Sequence, residues 1–115
     1  MALTYEQVRE WALALPGTSE VMVEAWGHPT LRVDDKKFAG GGPGLPTVTV
    51  KASMQEQAEL VARDPKTYSP AAYVGRYGWV QIDLATADPG ELHELLIESW
   101  RRIAPKKLVA EYETR

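Results

Sequence analysis

The spacing of the β-rich runs between Glu20 and Lys51 constrains this chain more than any other feature. Residues 20–26, 30–33, 36–39 and 47–51 each alternate apolar with polar side chains. Val21, Val23 and Ala25 mark the first, Leu31 and Val33 the second, Phe38 the third, and Val48 and Val50 the fourth. They are separated by Gly27-His28-Pro29, by Asp34-Asp35 and by the glycine tract 40–46. A parallel crossover needs about a dozen residues or more, so connections this short demand antiparallel neighbours.

Helices flank these runs. Thr4 and Gln7 stand at capping-box spacing, and Tyr5, Val8, Trp11, Ala12 and Leu15 follow at helical intervals until Pro16-Gly17. Ser53 and Glu56 open a second helix over residues 54–63, with Met54, Ala58, Val61 and Ala62 expected to face inward and Asp64-Pro65 to end it. Asp88-Pro89-Gly90-Glu91 is a strong helix start, and Leu92, Leu95, Leu96, Ser99, Trp100 and Ile103 then form one stripe. Pro105 ends that helix and opens a last one through Tyr112. Residues 65–78 read mainly as loop, with a short strand at 72–74, and residues 79–84 as a strand. The expected fold is α+β, a two-layer sandwich of a mostly antiparallel sheet of about five strands packed by helices.

The chain has 115 residues, the size of one domain (1–115). A 44% apolar content excludes disorder as the main state. No apolar run is long enough for a membrane helix, and the N-terminus carries no signal-peptide pattern. The absence of cysteine removes thiol catalysis and Cys-ligated metals and suits a cytoplasmic protein. The net charge of −3 argues mildly against tight binding to polyanions. Bases nevertheless cluster late, at Arg101, Arg102, Lys106 and Lys107, with Lys36-Lys37 balanced by Asp34-Asp35.

No constellation specifies an enzyme. His93-Glu94 resembles the start of a zinc-protease helix, but Ile97 stands where the second histidine is required. Glu94 and Glu98 lie beside Arg101 and Arg102 and read as a solvated ion-pair face. The serines lack a nucleophile-elbow context, and the glycine tract lacks the Gly-Lys-Ser/Thr ending of a phosphate loop and reads as a flexible hairpin tip. His28, in a turn beside Trp26, is the best lone acid–base candidate. Tyr68, Tyr73, Tyr77 and Trp79 surround Arg76, a pattern that covers the end of a sheet, stacks bases or lines a small-molecule cleft. No cofactor or metal is expected.

Trp26-Gly27-His28-Pro29-Thr30-Leu31-Arg32-Val33, Lys37-Phe38-Ala39 and Val50-Lys51 resemble the front half of the YjbR/MmcQ family. Tyr73, Gly78-Trp79-Val80, Glu91-Leu92, Leu95-Leu96, Ser99-Trp100 and Ala104-Pro105-Lys106-Lys107 resemble its back half. The resemblance implies the order αβ(3)αβ(2)α plus a C-terminal helix, and a DNA-binding protein with a double-wing motif. The chain departs from one common family pattern: between Tyr73 and Trp79 the Asn and both His are absent.

Two functions therefore compete. One is weak, largely non-specific DNA binding through Arg32, Lys36, Lys37, Lys51, Arg76, Arg101, Arg102, Lys106 and Lys107. The other is a small-ligand or peptide cleft near Trp26, His28, Tyr73, Tyr77 and Trp79, without catalysis.

Overall fold

A computed structural model describes residues 3–23 and 27–114. The described elements are α1 (Tyr5–Leu13), β1 (Thr18–Val23), β2 (His28–Val33), β3 (Lys36–Gly40), β4 (Thr47–Lys51) and α2 (Met54–Arg63). They continue with β5 (Tyr68–Pro70), a 3-10 turn (Gly75–Tyr77), β6 (Trp79–Asp83), α3 (Pro89–Ile103) and α4 (Lys106–Glu113). The strands form one open sheet in the order β1-β2-β3-β4-β6-β5, with every neighbouring pair antiparallel. The fold is the expected α+β arrangement, with six strands rather than about five and four of them before α2. Among the described residues no helix is long and apolar enough to cross a membrane.

Local chemistry sets the helix ends. Thr4 and Gln7 close a reciprocal capping box on α1. Ser53 accepts the Glu56 N–H at 3.0 Å, and Asp88 accepts the Glu91 N–H at 2.9 Å. Helix α3 lies against β3 and β4 and contacts α1. Its stripe is buried through Leu92, Leu95, Leu96, Ser99 and Trp100, and only Ile103 stays half-exposed. Trp100 is wholly enclosed, and its indole N–H donates to the Pro16 carbonyl at 3.1 Å.

Ser99 has a second task. Its hydroxyl donates to the Phe38 carbonyl and accepts the Lys51 N–H at 2.9 Å. The β3–β4 ladder consists of Ala39↔Val50 and Gly40↔Thr49, so this helix side chain continues the bonding where the strands diverge.

The two outer strands are pinned to helices by the same trio of side chains. At one rim the Tyr5 hydroxyl donates to Glu20 Oε2 at 2.5 Å and Arg9 Nε to Glu20 Oε1 at 2.9 Å. At the other, the Tyr68 hydroxyl donates to Glu91 Oε1 and Arg63 to Glu91 Oε2 at 2.8 Å. Burial, reinforced by the neighbouring carboxylate, raises both phenols well above the ordinary tyrosine range. Burial pushes Glu20 upward, but the hydrogen bonds from Tyr5 and Arg9 outweigh it and hold that carboxyl low.

Several expectations need correction. The first strand spans Thr18–Val23, and the rest of the run expected over 20–26 lies outside the described residues. His28 and Pro29 belong to β2 rather than to a turn. The β2–β3 ladder reaches only Thr30↔Gly40, so the missing Pro29 N–H breaks no bond of that ladder. The short strand is Tyr68–Pro70, not 72–74, because Tyr73 adopts a left-handed φ of 63° that leaves the extended region. In α2 the buried side chains are Gln57 and Leu60, while Met54, Ala58 and Ala62 are exposed and Val61 is half-buried. Gln57 Nε2 donates to the Gly75 carbonyl at 2.7 Å and the Trp79 carbonyl at 2.8 Å, and this tether turns α2. The glycine tract is not wholly a loose tip. Gly41 and Gly42 are buried, and a Cβ on Gly41 would stand 2.9 Å from Tyr5 Cδ1.

Candidate functional site

Alternation along the strands sends Leu31, Val33, Val48, Val50, Val80 and Ile82 into the core. The intervening residues Arg32, Thr47, Thr49, Lys51, Trp79 and Gln81 remain half-buried. A cavity of about 230 Å³ opens among them. Thr47, Thr49 and Gln81 contribute polar groups, Gly40 and Gly41 contribute backbone, and Ala71, Ala72 and Val74 form an apolar wall. His28 and Lys37 line it as well. A second chamber of about 450 Å³ shares His28, Lys37, Ala72 and Val74 and is bounded by Tyr73.

Gly40 determines where Lys37 can go. A Cβ at Gly40 would lie 2.9 Å from Lys37 Cε, 3.2 Å from its Nζ and 3.2 Å from Thr49 Oγ1. The lysine chain therefore occupies space that any other residue at position 40 would take. Its ammonium reaches 5.0 Å from the centroid of the Trp79 ring, within cation–π range. Burial lowers the Lys37 pKa from the ordinary lysine range, and the positive charge of Arg32 lowers it further. His28 Nδ1 lies 3.2 Å from the Pro29 carbonyl oxygen. A carbonyl can only accept, so Nδ1 donates its proton in that bond.

Of the five cleft candidates, the structure brings His28 and Tyr73 to the cavity lining and sets Trp79 against Lys37. Tyr73 is 96% exposed in its left-handed conformation, a combination that concentrates at binding sites. Tyr77 is not among the lining residues. Its ring carries the Arg76 guanidinium at 4.9 Å, and its carbonyl accepts from Lys51 Nζ. Trp26 lies outside the described residues.

The basic residues divide into two groups. Arg32, Lys36 and Lys37 stand on the β2–β3 hairpin, Lys51 at the end of β4, and Arg76 in the 3-10 turn before β6. Within this group Arg32 bonds the Thr30 hydroxyl at 3.0 Å and reaches Asp35 at 3.5 Å. The other four stand on the helical layer. Arg101 is 3.3 Å from Glu98 and 4.0 Å from Glu113, and Arg102 is 3.9 Å from Glu56. Lys106 and Lys107 are exposed in the first turn of α4. His93 stacks on Trp11 with ring centroids 4.6 Å apart.

The sequence offers Lys37 as a nucleic-acid contact and gives no reason to single out Thr47, Thr49 or Gln81. Their one signal was the polar half of the strand alternation. What gathers them, the empty position at Gly40 and the wall at 71–74, arises only when the strands pair.

No curated protein matches this chain. Among solved structures it is similar to protein DR2400 of Deinococcus radiodurans, whose family-model domain is DUF419. The TM-score is 0.82 at 19% identity, covering 94% of this chain and 86% of that one, a likeness of fold. The YjbR family model matches residues 13–102, most of the chain, and the protein therefore belongs to the YjbR family.

Proposed function

We propose that this YjbR protein is a small-ligand-binding module whose site is the cavity on the polar side of the sheet. The observation that carries this reading is Lys37, drawn over Gly40 into a concave site that also holds His28, Thr49 and Gln81 and adjoins the chamber bounded by Tyr73. Concavity, an apolar wall and a few convergent polar groups are the usual marks of such a site. Among the described residues no carboxylate lines the cavity. Backbone-amide NMR during titration with a panel of anionic, neutral and cationic small molecules tests it. Shifts gathered at His28, Lys37, Thr49 and Gln81 support the reading, and a panel that leaves them unmoved overturns it.

A second reading is weak, sequence-independent DNA binding of the double-wing type. It is favoured by the run Arg32, Lys37, Trp79, Lys51, Tyr77 and Arg76, in which Arg32 pairs with Lys37 and Lys51 with Trp79 across the strands, Lys37 and Arg76 stand over the Trp79 and Tyr77 rings, and Lys51 bonds the Tyr77 carbonyl. The Arg101–Arg102 pair supports it less, since carboxylates stand beside both side chains. Fluorescence anisotropy with a labelled duplex at low salt separates the two groups of basic residues. Loss of binding in a Lys51→Glu, Arg76→Glu double variant, with an Arg101→Glu, Lys106→Glu variant unchanged, supports the strand-side surface. No binding by the parent protein removes this reading.

A further inference from the structure

β1 is the terminal strand of the sheet and pairs with β2 alone. Its partners fix which way its backbone groups point. The Val21 carbonyl accepts the Thr30 hydroxyl at 3.0 Å, and the Val23 carbonyl accepts the Gly27 N–H at 3.1 Å, so both turn toward the β2 arm of the hairpin. Pro29 stands opposite Met22 and has no N–H, which agrees with ladder bonds at Ser19, Val21 and Val23. The alternate residues Glu20 and Met22 therefore turn their N–H and C=O groups away from the sheet. Natural edges are guarded by lysine, proline, a bulge or an inward charge. β1 contains no lysine or proline, and its ladder with β2 runs without a register shift. Its one charged side chain, Glu20, is held by Tyr5 and Arg9 of α1. Met22 is 58% exposed.

An occupant of this edge must be extended and must offer N–H and C=O groups at every second residue. β1 of a second copy does so, since a two-fold axis lays two identical strands antiparallel and presents each with the same surface. A register centred on Glu20 would set two carboxylates opposite each other, a destabilising pair. A register centred on Val21 sets Val21 against its own counterpart and Met22 against the partner's Glu20. Glu20 and Met22 are the residues with outward backbone groups, so main-chain bonds form on both sides of the axis. Met22 then lies over the partner's Glu20, and its apolar chain is covered. We propose that two copies of this protein pair through β1, antiparallel and centred on Val21, so that one sheet continues across both molecules. Among the described residues β1 does not line the cavity, so the proposal is independent of the ligand reading.

An interface built on one strand pair is small and belongs to the transient class, so sedimentation equilibrium is run from about 10 μM to about 1 mM. The average mass should climb above that of one chain, and amide exchange at Glu20 and Met22 should slow as it does. A mass that stays at one chain throughout leaves the edge to some other extended segment and overturns the proposal. Association without slowing at Glu20 and Met22 places the contact elsewhere and overturns it too. The chain has no cysteine, so single replacements read the register. Val21→Cys sets two thiols across a non-bonded pair with Cα atoms about 4.5 Å apart, within the span of a disulfide. Ser19→Cys leaves them about 14 Å apart along the strands, beyond any bridge. In a glutathione buffer Val21→Cys should link about tenfold faster or more, and equal or reversed rates overturn the register and the proposal with it. Met22→Pro removes a donor that the β1–β2 ladder does not use, and Met22→Lys keeps that donor but guards the edge with charge. Both should return the mass to one chain, with thermal melts confirming the fold. Undiminished association in a folded variant contradicts the proposed contact.

Discussion

The Lys37 ammonium stands 5.0 Å from the centroid of the Trp79 ring, across the strand that separates β3 from β6. The pair spans β4 and places a cation in a half-buried setting where strand alternation alone would leave it to solvent. Folding costs the charged form something, because burial and Arg32 both act against it. A base whose folded-state pKa is lowered gains stability as pH rises from the folded value toward the unfolded one. Lys37→Met should therefore melt higher than the parent at neutral pH, and the gap should narrow at alkaline pH. Paired thermal melts across that range check it, and a gap that widens with pH contradicts it.

Ser99 is expected to matter beyond its size. Ser99→Ala removes the group that serves both the Phe38 carbonyl and the Lys51 N–H. A buried polar group left without a partner costs about 1–3 kcal/mol. Urea denaturation should show a loss in that range. A neutral result would mean that β3 and β4 close on each other unaided.

Trp100→Ala should be far more severe, at about 3–5 kcal/mol, since it empties a wholly enclosed site. Trp100→Phe restores most of the volume but not the donor to the Pro16 carbonyl. It should fall between alanine and the parent protein in equilibrium unfolding.

The glycine tract offers a paired comparison. At Gly41 a methyl group would press on Tyr5 Cδ1 at 2.9 Å and Val48 Cγ1 at 3.0 Å, while at Gly44 it meets nothing within 4 Å. Gly41→Ala should cost about 1–3 kcal/mol through overpacking. Gly44→Ala should cost only about 1–2 kcal/mol, from its left-handed φ of 77°. Differential scanning calorimetry of the two variants separates crowding from backbone strain. A larger loss at Gly44 would contradict this account.

Much of this fold was legible before the strands were paired. Helix α3 was clear because a cap, a proline and an apolar stripe agreed over four turns, and each signal is local. β5 was misplaced because three residues ending in Pro70 carry no readable period. The inward face of α2 was misread because Gln57 is buried to hold two carbonyls, a reason that hydrophobicity does not encode. His28 looked like a turn residue because Gly27 and Pro29 flank it, yet its strand partner Val23 lies five positions back. The candidate site was half visible. Tyr73 and Trp79 announced themselves as aromatics, whereas Lys37 acquires its role from an absent side chain at Gly40 and from Trp79 two strands away.

The two rims of the sheet are unequal, and this bears on self-association. β5 is three residues long and ends in proline, which cannot donate to an incoming strand. β1 runs for six residues with no proline and with Met22 exposed. A foreign strand thus finds a continuous template on one side of the molecule and a blunted one on the other. Growth of a fibre requires both sides of every subunit to accept a neighbour. Any joining through these two strands would therefore stop at a pair.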